Sequence, residues 1–196
     1  MKFDRGDKTY QALVEVAGHE LYVATEKYKL FNQTLPCLEK SEMRYFKVAC
    51  YQAYAEFVRG LYEYYLAIIN WNTNTTRLSK SDNLDAAMND TAQRLLNFYR
   101  PLRSFTEPKF PLTVPIDFGA HFRQVRNRVS HADFRRMGPD LRASEITLAS
   151  FYQKYNFYVH LMLEHPQFTW GGKKFDEAYT WGPIEEFISA VKPKST

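Results

Sequence analysis

The chain has 196 residues, 45% of them hydrophobic, which is enough for one domain with a full core. Its most apolar run, residues 61–69, is interrupted by Glu63 and is far too short to span a membrane. The first eight residues lack the apolar segment of a secretory signal peptide. Cys37 and Cys50 do not have the spacing of a metal site. We therefore expect a soluble cytoplasmic protein with two reduced thiols and no metal or other cofactor.

The positive charge of the chain is concentrated in one short segment. Five arginines and one acid, Asp133, lie between residues 123 and 136, so this segment carries a charge equal to the +4 of the whole chain. The arginines are Arg123, Arg126, Arg128, Arg135 and Arg136. A local positive patch is typical of a protein that binds a phosphate-bearing partner. An ordinary solvated helix face has the same composition, and charge alone does not decide between the two.

Apolar residues recur in steps of three and four along most of the chain, which predicts amphipathic helices. The predicted helices cover residues 8–31, 41–70, 82–100, 116–137 and 144–164, followed by a short helix at 183–191. Pro36, Pro101 and Pro166 are expected to lie just beyond helix ends, because proline removes a backbone donor. Residues 71–81 have the composition of a loop, and the four prolines between 101 and 115 predict an extended crossover.

The expected fold class is all-α: an antiparallel bundle of four main helices, plus an additional helix and a C-terminal extension. The one strand-like signal is a small hairpin around Gly171 and Gly172. We expect residues 1–165 to form the bundle and the Trp-rich residues 166–196 to pack on the same domain. The helix at 144–164 is apolar around nearly its whole circumference, which predicts a central, buried position.

A helical projection of residues 116–137 separates a core stripe from a polar face. The stripe consists of Phe118, Phe122, Val125, Val129 and Ala132. Asn127 lies opposite this stripe, and Arg123 and His131 lie about 140° from it. Arg126 and Arg128 flank the stripe at about 80° on either side. Asn127 and His131 are four residues apart, so they are neighbours on the outward face.

The order Arg126-Asn127-x-x-x-His131 resembles the signature of the HEPN superfamily, small α-helical bundles common in toxin–antitoxin, phage-defence and RNA-processing systems. The second predicted helix, with residues 53–61, is also similar to the long helix of such bundles. The resemblance implies a metal-independent endoribonuclease that acts as a dimer, with two copies of the motif meeting in a groove at the interface. The partners it implies are RNA, a second copy of the chain, and an antitoxin or regulatory protein.

The resemblance also implies a role for each motif residue. His131 would transfer protons, Arg126 would bind the scissile phosphate, and Asn127 would orient the histidine or the phosphate. The 2′-OH of the RNA would attack, giving 2′,3′-cyclic phosphate and 5′-OH ends. The remaining arginines would attract RNA; they are Arg123, Arg128, Arg135 and Arg136. One toxin subgroup has a tyrosine two residues after the histidine, where a partner enzyme silences it; here that residue is Asp133, so this route is in doubt.

Two other functional hypotheses stay open. The chain can be a non-catalytic HEPN-like module that binds RNA, a nucleotide or a protein partner. Alternatively, it can be a helical interaction protein whose arginines are simply solvated. The two are separable from a ribonuclease by assays for RNA binding and cleavage.

Three further groups of residues have a structural and a functional interpretation. A metal could be held by His160, Glu164 and the adjacent His165, but the favoured interpretation is that they are ordinary polar residues near a helix end. Glu56 and Arg59 are favoured as a structural ion pair. The aromatic clusters at 62–65 and 155–158 can stack nucleic-acid bases, although at helical spacing they more often belong to a core or a dimer interface.

Overall fold

The computed structural model describes residues 8–40, 43–73, 81–103, 109–130, 146–169 and 182–191. Regular structure in these ranges is entirely helical, so the predicted all-α class is confirmed for them. The order is α1 (Lys8–Lys40), α2 (Arg44–Thr73), α3 (Ser81–Arg103), α4 (Phe118–Ser130), α5 (Leu148–Thr169) and α6 (Gly182–Val191). None of these helices combines the length and the apolar character needed to cross a membrane.

The long helices α1 and α2 pack as an antiparallel pair. Glu20 and Ala24 of α1 lie opposite Gly60 of α2. Further along the pair, the ring of Phe31 lies 4.9 Å from that of Tyr54. α2 also packs on α3, α4 and α5. α5 packs on α1, α2, α3 and α4, in agreement with its predicted central position, although residues 152–154 form an exposed edge.

Aromatic rings on α2, α4 and α5 form the centre of the core. Phe122 of α4 meets Tyr62 of α2 edge-on, with ring centroids 5.2 Å apart, and lies 5.5 Å from Phe151 of α5. The core stripe predicted for α4 is confirmed over its described part, since Phe118, Phe122, Val125 and Val129 are all buried. The predicted stripe residue Ala132 lies outside the described ranges. Tyr62, Tyr64, Tyr65 and Tyr155 are also buried, so they belong to the core and cannot stack on bases.

Three predicted helix ends are wrong, because the helices continue through their prolines. α1 reaches Lys40 through Pro36, α3 reaches Arg103 through Pro101, and α5 reaches Thr169 through Pro166. Each proline lies within the last turns of its helix, where the donor it removes costs one hydrogen bond close to an end. A proline so near the C-terminal end therefore removes one backbone hydrogen bond, and the residues after it remain helical.

The segment before α4, described over residues 109–117, is helix-free, as its prolines predict, but it contains a bend at 112–113 and a turn at 116–117 and is not extended throughout. Side chains of α3 hold this segment in place. The Asn89 amide donates to the Ile116 carbonyl at 2.6 Å, and the Gln93 carbonyl oxygen accepts from the Val114 N–H at 2.8 Å. At the other end, α4 is described as far as Ser130, whereas the sequence predicts a helix to residue 137. The hairpin signal at Gly171 also lies outside the described residues.

Candidate functional site

α4 approaches α3 unusually closely at Gly119. A Cβ atom added there would lie 2.2 Å from the carbonyl oxygen of Asp85, well inside contact distance. The Gly119 N–H donates to the side-chain oxygen of Asn89 at 2.8 Å. The glycine therefore sets the distance between the two helices and fixes which way the side chains of α4 point.

Because α3 and α4 are so close here, Arg123 of α4 forms an ion pair with Asp85 of α3. Its Nε and Nη2 atoms each donate to a carboxylate oxygen of Asp85, both at 2.8 Å. This two-point geometry is the strong form of an arginine–carboxylate contact. The projection places Arg123 on an outward face, but α3 covers that direction. The side chain is 29% exposed, and its predicted role in attracting RNA stays a prediction.

Arg126 pairs with α2 on the opposite side of α4. Its Nε and Nη2 atoms both contact Oε1 of Glu63, and its guanidinium carbon lies 5.6 Å from the ring centre of Tyr62. Nη1 donates to the side-chain oxygen of Asn127 at 2.8 Å. The two neighbouring motif residues thus form one hydrogen-bonded unit, which we call the Arg126–Asn127 unit. The guanidinium group has more N–H donors than these contacts use, and the arginine side chain is 28% exposed.

The sequence does not identify Glu63 as a site residue, although a signal for it exists. Glu63 is a charged residue within the most apolar run of the chain, and its side chain is 20% exposed. A carboxylate at such a position normally has a cationic partner, because burying it alone is costly. Helical periodicity gives the direction in which Arg126 points, but not the helix that stands there.

The other predicted site residues are only partly described. Arg128 is half-buried on α4. His131, Arg135 and Arg136 lie outside the described residues, as does Asp133. The structure therefore brings Arg126 and Asn127 together, and the predicted roles of the other residues stay predictions.

A stripe of charged residues continues along α2 from Glu63. Arg59 donates to Glu56 at 2.9 Å and to Glu20 of α1 at 3.4 Å, which confirms the predicted ion pair and adds a third member. Burial raises the pKa of Glu20, and the nearby Arg59 only partly opposes this shift. We call Glu56, Arg59 and Glu63 the α2 polar stripe. It lies between α1 and α4 and ends at the Arg126–Asn127 unit.

A second polar cluster joins the start of α4 to α5. The Tyr155 hydroxyl donates to Asp117 at 2.8 Å and lies 2.7 Å from Nδ1 of His121. Because the hydroxyl proton goes to Asp117, His121 is the donor in the second contact. Lys154 donates to Asp117 at 2.6 Å. The sequence gives no signal for this cluster, because its members come from two segments more than thirty residues apart.

Burial changes the protonation of this cluster. It raises the pKa of Tyr155 to about 12 and lowers the pKa of His121. For Asp117, burial acts to raise the pKa, but hydrogen bonds from Lys154 and Tyr155 outweigh it and the pKa is lowered. At neutral pH the cluster therefore contains a neutral imidazole, a neutral phenol and a paired carboxylate.

We expect the folded protein to lose stability on mild acidification. Burial lowers the pKa of His121 and of His165 below the ordinary value of 6.5. The unfolded chain takes up these protons near pH 6.5, but the folded chain does so only at lower pH. Stability from this source is therefore complete above pH 6.5 and is lost as the pH falls through the folded values.

Urea unfolding at about pH 7.5 and about pH 5.5 measures this effect. The midpoint should be lower at the acidic pH, and the difference should be smaller in a His121→Asn variant. An equal or higher midpoint at the acidic pH would contradict the assignment of a buried neutral His121.

The candidate metal ligands His160 and Glu164 on α5 contact each other, and Glu164 also has a cationic partner. Nδ1 of His160 lies 3.3 Å from Glu164, which also forms an ion pair with Arg103 of α3. In the portion of the chain that is described, no three His, Cys, Asp or Glu side chains are grouped to hold a metal ion.

Comparisons with protein-family models, with curated proteins and with solved structures find no match to this chain.

Proposed function

We propose that the chain is a metal-independent endoribonuclease of the HEPN type. The observation that carries this proposal is the Arg126–Asn127 unit. It holds a guanidinium group at a defined position on α4, partly exposed, four residues before the end of the described helix. The motif residue His131 follows directly after that helix in the sequence. An always-charged phosphate ligand and a titratable imidazole can supply the charge stabilisation and the proton transfer that cleavage by a 2′-OH needs.

The proposed reaction needs one phosphate ligand and proton transfer at two oxygens. The 2′ oxygen attacks the neighbouring phosphorus while its proton is removed, and the bond from phosphorus to the 5′ oxygen breaks as that oxygen gains a proton. The products are a 2′,3′-cyclic phosphate and a 5′-OH end. Arg126 stabilises the negative charge on the phosphate oxygens, and His131 serves in proton transfer. DNA lacks the attacking group, so it is not a substrate.

A second copy of the chain completes the proposed site. The helical projection directs Asn127 and His131 away from the core, with the partly exposed Arg126 at their flank, so a symmetric dimer that pairs two such faces would enclose the RNA. We propose that the enzyme acts in the cytoplasm as a toxin or phage-defence effector, restrained by an antitoxin or another regulatory protein. Arg123, Arg128, Arg135 and Arg136 contribute long-range attraction for RNA.

Incubation of the purified protein with single-stranded RNA in excess EDTA tests the proposal. We expect the RNA to be cut, while DNA of the same sequence stays intact. Cleavage that depends on added Mg²⁺, or that acts equally on DNA, would exclude the proposed reaction.

The Glu63 contact favours a second candidate, a non-catalytic HEPN-like module that binds RNA, a nucleotide or a protein. In this reading the guanidinium of Arg126 is held by Glu63 and Tyr62 for the stability of the α2–α4 packing. Such a module would bind single-stranded RNA in a salt-dependent manner and leave it intact in the EDTA assay.

Replacing Glu63 by glutamine is expected to strengthen RNA binding. The Glu63 carboxylate competes with a phosphate for Arg126 and also repels that phosphate directly. At a partly exposed site, removing a charge that lies beside the bound phosphate changes the binding free energy by about 1 kcal/mol, which is about five-fold in affinity. Binding to an RNA whose 2′ hydroxyls are methylated measures the effect without cleavage. Asp90→Asn, which removes an exposed carboxylate of α3, makes the same charge change as a control and should leave the affinity nearly unchanged. Weaker binding by Glu63→Gln would mean that Glu63 positions Arg126 instead of competing for it.

A further inference from the structure

A groove of about 410 Å³ opens between α1 and the first half of α2. Its floor is aliphatic, and its remaining wall carries an aromatic ring, an amide, a cation and a carboxylate. The lining residues are Lys27, Leu30, Tyr45, Val48, Ala49, Gln52, Ala53 and Glu56. The volume falls in the range of small-ligand sites, and so does the combination of an apolar floor with a few polar groups.

Tyr45 is unusually exposed for an aromatic residue. Its side chain is 72% exposed, more than any other tyrosine or phenylalanine among the described residues. Its ring contacts Phe46 edge-on, with centroids 5.5 Å apart, so one neighbour restricts its motion. In the aromatic clusters at 62–65 and 155–158, four rings are buried and two, Phe157 and Tyr158, are half-buried. Within the described chain, Tyr45 is therefore the ring best placed to offer a flat face to a planar ligand.

The groove and the Arg126–Asn127 unit lie on one line along α2. Tyr45, Gln52, Glu56 and Glu63 are spaced by seven, four and seven residues, which places them within about 40° of one another around the helix. Glu56 lines the groove and also belongs to the α2 polar stripe, which ends at Arg126. At 1.5 Å per residue, Gln52 is about 17 Å along the helix axis from Glu63. A strand bound at Arg126 can thus reach the groove without leaving this face.

The side chains that line the groove suit a nucleobase and the phosphate next to it. A base stacks on an aromatic ring regardless of its sequence, and an amide offers one donor and one acceptor to its edge. Lys27 supplies a positive charge for the adjoining phosphate. Glu56 would repel that phosphate, and its ion pair with Arg59 at 2.9 Å offsets this repulsion only in part, because Arg59 also pairs with Glu20. When one face of the base stacks on Tyr45, the aliphatic side chains of the groove cover its other face and exclude water from it.

We propose that this groove is a nucleobase subsite for single-stranded RNA, in which the base stacks on Tyr45 and Gln52 hydrogen-bonds its edge. The inference rests on the proposed function, since it takes the RNA strand to continue from Arg126 along the α2 polar stripe. The subsite gives the protein a sequence or structure preference at a nucleotide removed from the scissile phosphate.

Binding of a fluorescent, single-stranded RNA with methylated 2′ hydroxyls tests the subsite without cleavage. We expect Tyr45→Ser to weaken binding about ten-fold, which corresponds to the loss of one stacked base. Tyr51→Ser is the matched control, because Tyr51 is also exposed but lies about 120° away around α2. When one nucleotide of the RNA is made abasic, binding to the wild-type protein should weaken at only one of the positions tried along the RNA. The same abasic RNA should have little further effect on Tyr45→Ser.

The possible outcomes separate this inference from the proposed function. If Arg126→Ala weakens binding but Tyr45→Ser behaves like Tyr51→Ser, the subsite is wrong and the proposed function stands. If Tyr45→Ser changes the oligomeric state and leaves RNA affinity unchanged, the groove is a protein-docking surface and the subsite is wrong. If the wild type binds no RNA at low salt, both proposals are wrong. Tyr45 is 72% exposed and Tyr51 is 36% exposed, so thermal unfolding of both variants accompanies the binding measurement.

Discussion

RNA cleavage in EDTA should fall by about 100-fold or more when either Arg126 or His131 is replaced by alanine. A positioned proton-transfer residue contributes about 10²- to 10⁴-fold to a rate, and one donor to a developing oxyanion about 10²- to 10³-fold. The two losses should not add in the double variant, because both residues serve the same step. Single-turnover rates with a defined RNA measure these effects directly.

The controls for this experiment address charge and folding separately. Arg94→Ala removes an exposed arginine of α3, whose described contact is with Thr91 at 3.1 Å, and should leave the rate unchanged. Arg126→Lys keeps the charge but loses the planar donor set, so the rate should remain well below that of the wild type. Arg126→Ala also leaves Glu63 without its cation, so thermal unfolding of each variant must accompany the rates. Cleavage that persists unchanged in folded His131→Ala would contradict the proposed mechanism.

Gly119→Ala is expected to destabilise the protein by about 3 kcal/mol or more, or to prevent folding. The new Cβ atom would lie 2.2 Å from the Asp85 carbonyl oxygen and 2.9 Å from its carbonyl carbon. Both atoms belong to the backbone of α3, so no side chain can rotate away, and α4 must move. That movement would also disturb the Arg123–Asp85 pair, which depends on the same close approach.

Gly60→Ala provides a matched control in the same fold. An added Cβ there would lie 3.1 Å from the Glu20 carbonyl oxygen, so α1 needs to give way by only a few tenths of an ångström. Alanine also favours a helix interior over glycine by about 1 kcal/mol, which offsets part of the strain at Gly60 but less at Gly119, the second residue of α4. Urea unfolding should therefore show a much larger loss for Gly119→Ala than for Gly60→Ala. Equal losses would mean that the α3–α4 approach is not as tight as described.

The all-helical class and the core stripes could be predicted because they depend on local periodicity. The stripe of Phe118, Phe122, Val125 and Val129 is buried as its spacing indicates. Helix ends were less predictable. A helix can continue past a proline, as α1 does past Pro36. A proline near a C-terminal end costs one hydrogen bond, which sequence alone cannot weigh against the packing of that end.

The candidate site could be predicted in its residue types but not in its contacts. The sequence predicts Arg126 and Asn127 as site residues but not the 2.8 Å hydrogen bond between them, since it assigns Asn127 to orient the histidine or the phosphate. Glu63 and Asp85, which hold Arg126 and Arg123, come from other helices, and periodicity within α4 contains no information about them. A charged residue inside the apolar run 61–69 was the one available signal.

The measurement that tests the central claim most directly is cleavage of an RNA with one 2′-deoxynucleotide at the preferred cut site, in EDTA. If the 2′-OH is the nucleophile and Arg126 and His131 serve its attack, this substitution should abolish cleavage at that site alone. The unmodified RNA should yield 2′,3′-cyclic phosphate and 5′-OH ends, identifiable by mass. Continued cleavage at the deoxy position, or products with a 5′-phosphate, would contradict the account.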